Sequence, residues 1–164
     1  MVEAILTPTR EPSLLSFSSS TGAGTSPFSL IVSDNETATA QALTRGDFVQ
    51  AYLLVHALLE ALLRIFLRMP ADEDINFNGL IYKYRQHLET ADYPFPTFID
   101  ELTQFNRRRN RIVHQLWRKG SSFTNRETES AALAAVVMYG LFIEWLETFD
   151  FEITRIGFQY DEGV

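Results

Sequence analysis

One hexapeptide, Arg109–His114 with the sequence RNRIVH, carries the residues best suited to chemistry. Within about two helical turns it places a guanidinium, an amide and an imidazole. An imidazole with a pKa near ~6.5 can donate or accept a proton close to neutral pH, and a guanidinium can bind two phosphate oxygens at once. If this chain is an enzyme, its chemistry is therefore expected here, at Arg109, Asn110 and His114.

The hexapeptide lies in the most basic part of an acidic chain. The 164 residues carry a formal net charge of −7, which argues mildly against a general polyanion-binding protein. There is, however, no acid between Asn106 and Arg126, and seven of the 14 Lys and Arg residues fall in residues 107–126: Arg107, Arg108, Arg109, Arg111, Arg118, Lys119 and Arg126. The sequence indicates one basic stripe on an acidic body, and a merely solvated helix face is the alternative interpretation.

The composition is ordinary for a globular domain, with 46% hydrophobic and 21% charged residues. The absence of cysteine excludes disulfides, Cys-ligated metal sites and a thiol nucleophile. The N-terminus lacks the basic start and apolar run of a secretory signal. The most apolar stretch, 51–67, is too short and too polar for a membrane span, since it contains His56, Glu60 and Arg64. We therefore expect a cytoplasmic protein that does not associate with membranes.

Hydrophobic periodicity predicts an all-α fold, an antiparallel four-helix bundle with short loops. Asp47 and a capping box at Thr124–Glu127 are the expected start signals of the first and fourth long helices. Short terminal strands over 28–32 and 151–160 are an additional possibility. Each strand would need the other as its pairing partner. The helices are expected at about 48–68, 76–89, 97–117 and 124–149, with a short one at 36–43.

Residues 1–33 differ in composition from the rest of the chain. They are rich in Ser, Gly and Thr, which is typical of loops and flexible tails. We expect a flexible or extended N-terminal segment over 1–33 and a helical domain over 34–164. Two of the long helices are more apolar than one small bundle requires, which favours a homodimer.

On the third long helix, Arg109 lies on the apolar stripe, where an arginine is unusual. On an ideal helix His114 lies about 140° round from Arg109, and Asn110 lies about 40° from His114. Arg109 must therefore curl round the helix or meet partners from a second protomer. Glu60 is the acid expected to hold Arg109 from a neighbouring helix, and a salt bridge from Glu60 to Arg64 within one helix is the alternative.

A helical bundle whose third long helix carries Arg-Asn-x-x-x-His resembles the HEPN superfamily (higher eukaryotes and prokaryotes nucleotide-binding). That family's motif is an Arg, usually followed by a polar residue, with a His four to six positions after the Arg. Arg109, Asn110 and His114 match it, and the resemblance covers roughly residues 34–150. It implies a metal-independent endoribonuclease of a microbial toxin–antitoxin or defence system. Such nucleases need no cofactor and dimerise so that two motifs meet in one cleft.

The resemblance also implies roles for individual residues. His114 would be the general acid/base, Arg109 the phosphate clamp, and Asn110 would orient His114 or bind a phosphate. Glu60 would support Arg109. Other basic residues would attract the RNA backbone regardless of its sequence: Arg107, Arg108, Arg111, Arg118 and Lys119.

Two other functions fit the same residues. A non-catalytic HEPN-like module would bind a nucleotide, RNA or a protein partner such as a nucleotidyltransferase or an antitoxin. A purely structural helical dimer would pair Arg109 with a buried acid and leave His114 as a surface histidine.

Overall fold

The structure, a computed structural model, describes residues 27–70, 72–92 and 97–156. These residues form helices joined by turns and loops, which confirms the all-α prediction. The second helix contacts all the others and is the centre of the fold. The helices are α1 Pro27–Arg45, α2 Phe48–Phe66, α3 Phe77–Thr90, α4 Ile99–Lys119, α5 Ser121–Glu147 and α6 Phe151–Ile156.

The central position of α2 follows from its apolar circumference, as the sequence indicated. Nine of its residues are buried: Ala51, Tyr52, Val55, His56, Leu58, Leu59, Leu62, Leu63 and Phe66. Burying a leucine side chain contributes about 1.5–3 kcal/mol relative to leaving it exposed, so the four buried leucines make α2 a major source of stability. The helix ends before Pro70, which cannot continue a helix.

α1 begins at Pro27, so residues 27–33 are helical and not extended. The strand considered over 28–32 is therefore wrong. Val32, Thr39 and Ala42 recur on one side of α1 and are buried, and the Thr39 hydroxyl donates to the Asn35 carbonyl at 2.7 Å. Residues 1–26 lie outside the described residues. At the other end, 151–156 form α6 where a strand was considered, and 157–160 are not described.

α2 begins at Phe48, directly after Asp47, as predicted, but without the expected capping bond. Asp47 stands at the N-terminus of α2 but makes no capping hydrogen bond with its side chain, because its carboxylate pairs with Arg45 at 3.0 Å. Asn125 of α5 replaces it, since the Val49 N–H donates to Asn125 Oδ1 at 3.1 Å. Asn125 Nδ2 also donates to the Gly46 carbonyl at 2.7 Å, which ties α5 to the turn between α1 and α2.

The capping box at Thr124–Glu127 does not start a helix. α5 begins at Ser121, directly after Gly120, so Thr124 lies inside the helix. Its hydroxyl donates to the Gly120 carbonyl at 2.7 Å, the bond that a threonine inside a helix makes to the preceding turn. Gly120 ends α4 with a φ of 84°, a conformation that favours glycine, as predicted.

Among the described helices, α2 and α5 are long and apolar enough to cross a membrane by length and composition. For α2 this differs from the expectation that the stretch is too short and too polar. Core helices of soluble proteins can have the same length and apolar composition, and both helices contribute to the buried core here. The length and composition of α2 and α5 alone therefore do not indicate membrane insertion.

Candidate functional site

α4 presents the hexapeptide in the second half of a 21-residue helix. Ile112 is buried in the core and Arg109 is half-buried, whereas Asn110, Arg111, Val113 and His114 are exposed. The first turn of the helix holds two acids and the last turn two basic residues, which suits the helix dipole at both ends. The helix is therefore a stable support for the motif, with the imidazole on its outer surface.

Arg109 curls round α4 towards Asn110. Its Nη1 donates to Asn110 Oδ1 at 2.9 Å, so the guanidinium reaches the flank of the helix that also exposes His114. Arg109 Nε is a buried donor with no hydrogen-bond partner among the described residues. Leaving a buried donor unpaired costs about 1–3 kcal/mol. The side chain is thus held next to Asn110, while its Nε stays unsatisfied and shielded from solvent.

Glu60 does not pair with Arg109 in the structure. Its Oε1 accepts from Arg64 Nη2 at 3.2 Å, the intrahelical salt bridge that was the alternative. Arg64 also donates to the carbonyls of Glu73 and Ile75, at 3.0 and 2.9 Å. Arg64 therefore ties α2 to the segment before α3, and Glu60 supports Arg64 in that task.

A buried polar cluster that sequence reasoning missed lies next to Arg109. His56 Nε2 is 3.4 Å from Asn106 Oδ1, and Asn106 Nδ2 donates to Asn78 Oδ1 at 2.8 Å. The His56 ring packs on Phe77, with centroids 4.5 Å apart. Burial, together with the positive charge of Arg109, lowers the pKa of His56 below its ordinary value. His56 is therefore neutral near neutral pH and leaves Arg109 as the local positive charge.

His56 is expected to make the stability of the fold sensitive to acid. Because its pKa is lower in the folded chain, the unfolded chain binds more protons once the pH falls below about 6.5. Urea unfolding at about pH 7 and about pH 5 is expected to show a smaller loss of stability for His56→Gln than for wild type. The glutamine keeps an amide donor for Asn106, so equal losses in the two proteins would contradict this assignment.

Three arginines share one exposed face of α4 with His114. Positions 107, 111, 114 and 118 lie within about 60° on an ideal helix, and Arg107, Arg111, His114 and Arg118 are all exposed. We call these four residues the basic face. None of them forms an ion pair with another described residue. The neighbouring Trp117 is 70% exposed, and the Arg118 guanidinium lies 5.1 Å from the centre of its ring.

The other two predicted RNA-binding residues lie on the side of α4 that faces α5. The Lys119 ammonium stacks over the Phe123 ring at 4.8 Å. Arg108 lines a groove of about 440 Å³ between α4 and α5, together with Arg107 and Arg111. The basic stripe of the sequence is thus divided between an exposed face with His114 and a groove beside it.

No group of three or more His, Asp or Glu residues that could hold a metal ion occurs in the part of the chain that the structure describes. The fold and the site together define an all-α protein with a basic, solvent-exposed helix face around a single histidine. In comparisons with known proteins, no family model, no curated protein and no solved structure matches this chain.

Proposed function

We propose that the protein is a metal-independent endoribonuclease of the HEPN type, with His114 as general acid/base and Arg109 as phosphate clamp. One observation carries the proposal: the half-buried Arg109 donates from Nη1 to Asn110, on the flank of α4 that also exposes His114. This hydrogen bond directs the guanidinium towards the side of the helix that carries His114, although Arg109 and His114 are offset by about 140°. A guanidinium in this position can donate to phosphate oxygens through its terminal nitrogens.

RNA cleavage needs three events, and the site has groups for each. The 2′-hydroxyl must lose a proton, the negative charge on the phosphorane must be stabilised, and the 5′ oxygen must gain a proton. His114 transfers protons, and Arg109 with Asn110 stabilises the charge. The three arginines of the basic face attract the RNA backbone without regard to its sequence.

One chain supplies one imidazole to this surface, whereas cleavage uses both an acid and a base. A second copy of the chain supplies the other, so we propose a homodimer in which two α4 helices meet. Val113 and Trp117 support this, because they expose 42% and 70% of their surface beside the motif. We further propose that α2–α5 correspond to the HEPN-like four-helix bundle, and that the enzyme acts in the cytoplasm of a microbe with an antitoxin or defence partner.

The test is cleavage of a labelled RNA in the presence of a metal chelator. His114→Ala is expected to reduce the cleavage rate by about 10²–10⁴-fold, because it removes the proton-transfer group. His87→Ala is the matched control, since His87 is exposed on α3, away from the motif, and its loss should leave the rate within about twofold. No cleavage by the wild-type protein, or equal rates in all three proteins, would refute a nuclease.

A non-catalytic module that binds RNA or a nucleotide is the second candidate. The observation that favours it is the freedom of His114, whose imidazole makes no hydrogen bond to any residue the structure describes. Nothing within one described chain orients its ring for proton transfer. RNA binding without cleavage, weakened by substitution of the three arginines of the basic face and not by His114→Ala alone, would identify this function.

A further inference from the structure

We propose that the groove between α4 and α5 is a base pocket that holds one unstacked nucleotide of single-stranded RNA. This inference rests on the proposed function, because it extends the RNA path from the basic face into the groove. It adds a second binding site to the proposed nuclease: a groove that would hold a base that has left the stack. Duplex RNA keeps its bases stacked and offers only its backbone.

The groove has the size and lining that such a base requires. Its volume is about 440 Å³, within the range of about 300–1,000 Å³ that small-molecule pockets occupy. The α5 side consists mostly of small residues, and Met138 closes it with a flexible, polarizable side chain. The small members are Ala131, Ala134 and Ala135.

The floor of the groove is apolar and closely packed. It is formed by Phe105 and Tyr52, and the Tyr52 hydroxyl already donates to the Phe105 carbonyl at 2.8 Å. Burial raises the pKa of Tyr52, so its hydroxyl stays protonated. The floor therefore presents no free polar group to a ligand. The Tyr52 and Phe105 rings are buried and stacked on each other, so a base would be retained by apolar contact and by exclusion of water.

The rim of the groove supplies charges for the flanking phosphates. Arg107, Arg108 and Arg111 line it and form no ion pair with any other described residue. Their guanidiniums can bind phosphate oxygens or stack on a base. Glu101 also lines the rim, and a carboxylate accepts hydrogen bonds from the exocyclic amino group of a base such as cytosine.

The groove is continuous with the basic face. Arg107 and Arg111 belong to both, and His114 lies three residues beyond Arg111, about 4.5 Å further along the helix axis. A strand whose base enters the groove would therefore bring a neighbouring phosphate to His114 and Arg109. An acidic peptide is the competing occupant, because arginines over an apolar floor also suit an amphipathic acidic helix.

The experiment measures the affinity of fluorescein-labelled RNA by fluorescence anisotropy, in a His114→Ala background that prevents cleavage. The probe is a short mixed-sequence oligonucleotide, either alone or annealed to its complement. Single-stranded RNA is expected to bind about 10-fold more tightly than the duplex, because only an unpaired base can leave the stack and enter the groove. This factor corresponds to about 1.4 kcal/mol. Ala134→Phe, which fills the groove, is expected to remove this difference.

Two further variants complete the binding test. Ala40→Phe places the same ring on an exposed position of α1 and should change neither affinity. Arg108→Ala removes a guanidinium from the rim without adding volume. It should weaken the binding of single-stranded RNA by about 10-fold and the binding of duplex RNA by less. A misfolded Ala134→Phe protein would therefore not leave the proposal undecided.

The possible failures can be told apart. Equal binding of both RNAs, unchanged by Ala134→Phe and Arg108→Ala, would overturn the base pocket while leaving the nuclease proposal to the cleavage assay. If neither RNA binds, the base pocket is refuted together with the RNA function. If an acidic amphipathic peptide binds, loses affinity in Ala134→Phe, and no preference for single-stranded RNA is seen, the groove is a protein-binding site instead.

Discussion

Arg109→Met is expected to lower the RNA cleavage rate by about 10²–10³-fold, the usual effect of removing a group that stabilises transition-state charge. The same change is expected to leave the fold intact. Arg109 contributes no ion pair to the described part of the chain and carries a buried Nε without a partner. Methionine has a similar length without the unpaired donor, so the free energy of unfolding should stay equal or rise by about 1 kcal/mol.

Arg85→Met is the matched control for this substitution. Arg85 is exposed on α3 and should change the cleavage rate by less than about twofold. Urea denaturation of both variants and single-turnover cleavage at saturating protein separate stability from catalysis. An Arg109→Met protein that unfolds much more easily than wild type would show that Arg109 is structural, and full activity would refute its role as the phosphate clamp.

Leu59→Ala is expected to reduce the free energy of unfolding by about 2–5 kcal/mol. Leu59 is fully buried on α2, the helix that contacts every other helix, so the cavity is enclosed by several elements and relaxes little. Urea unfolding followed by circular dichroism measures the effect.

Leu141→Ala on α5 removes the same atoms from a side chain that is 52% exposed. In the isolated chain its effect is expected to remain within about 0.5 kcal/mol. Comparable losses for the two leucines would contradict the assignment of α2 as the central helix. A loss for Leu141→Ala that appears only at high protein concentration would instead point to burial of this residue between two chains.

Much of the helical layout was predictable because its signals are local. The stop before Pro70 and the glycine after Lys119 act on the backbone within a few residues, and the structure follows both. The start of α5 was not predictable in the same way. Ser121 begins the helix although a capping box stands at Thr124–Glu127, and the Thr124 hydroxyl donates to the Gly120 carbonyl inside the helix instead of capping it. Asn125 pairs with backbone groups of Gly46 and Val49, which are distant in sequence.

The candidate site likewise contains one part that the sequence could predict and one part that it could not. The exposed face that carries Arg107, Arg111 and His114 follows from helix geometry and was implied by residue spacing. The cluster of His56 with Asn106 could not be predicted from residue spacing, because the two residues are 50 positions apart and each looks like an isolated polar residue in its own helix. A polar residue on an otherwise apolar helix was the one signal that pointed to it.

The sequence by itself determined that the part of the chain described by the structure is helical, and that one helix presents basic residues around His114. These properties depend on periodicity and charge along a short stretch of chain. Only the tertiary structure decided that Glu60 pairs with Arg64 and that Arg109 turns towards Asn110. The physical reason is that a long flexible side chain has several partners within reach, and the packing of neighbouring helices determines which of them it meets.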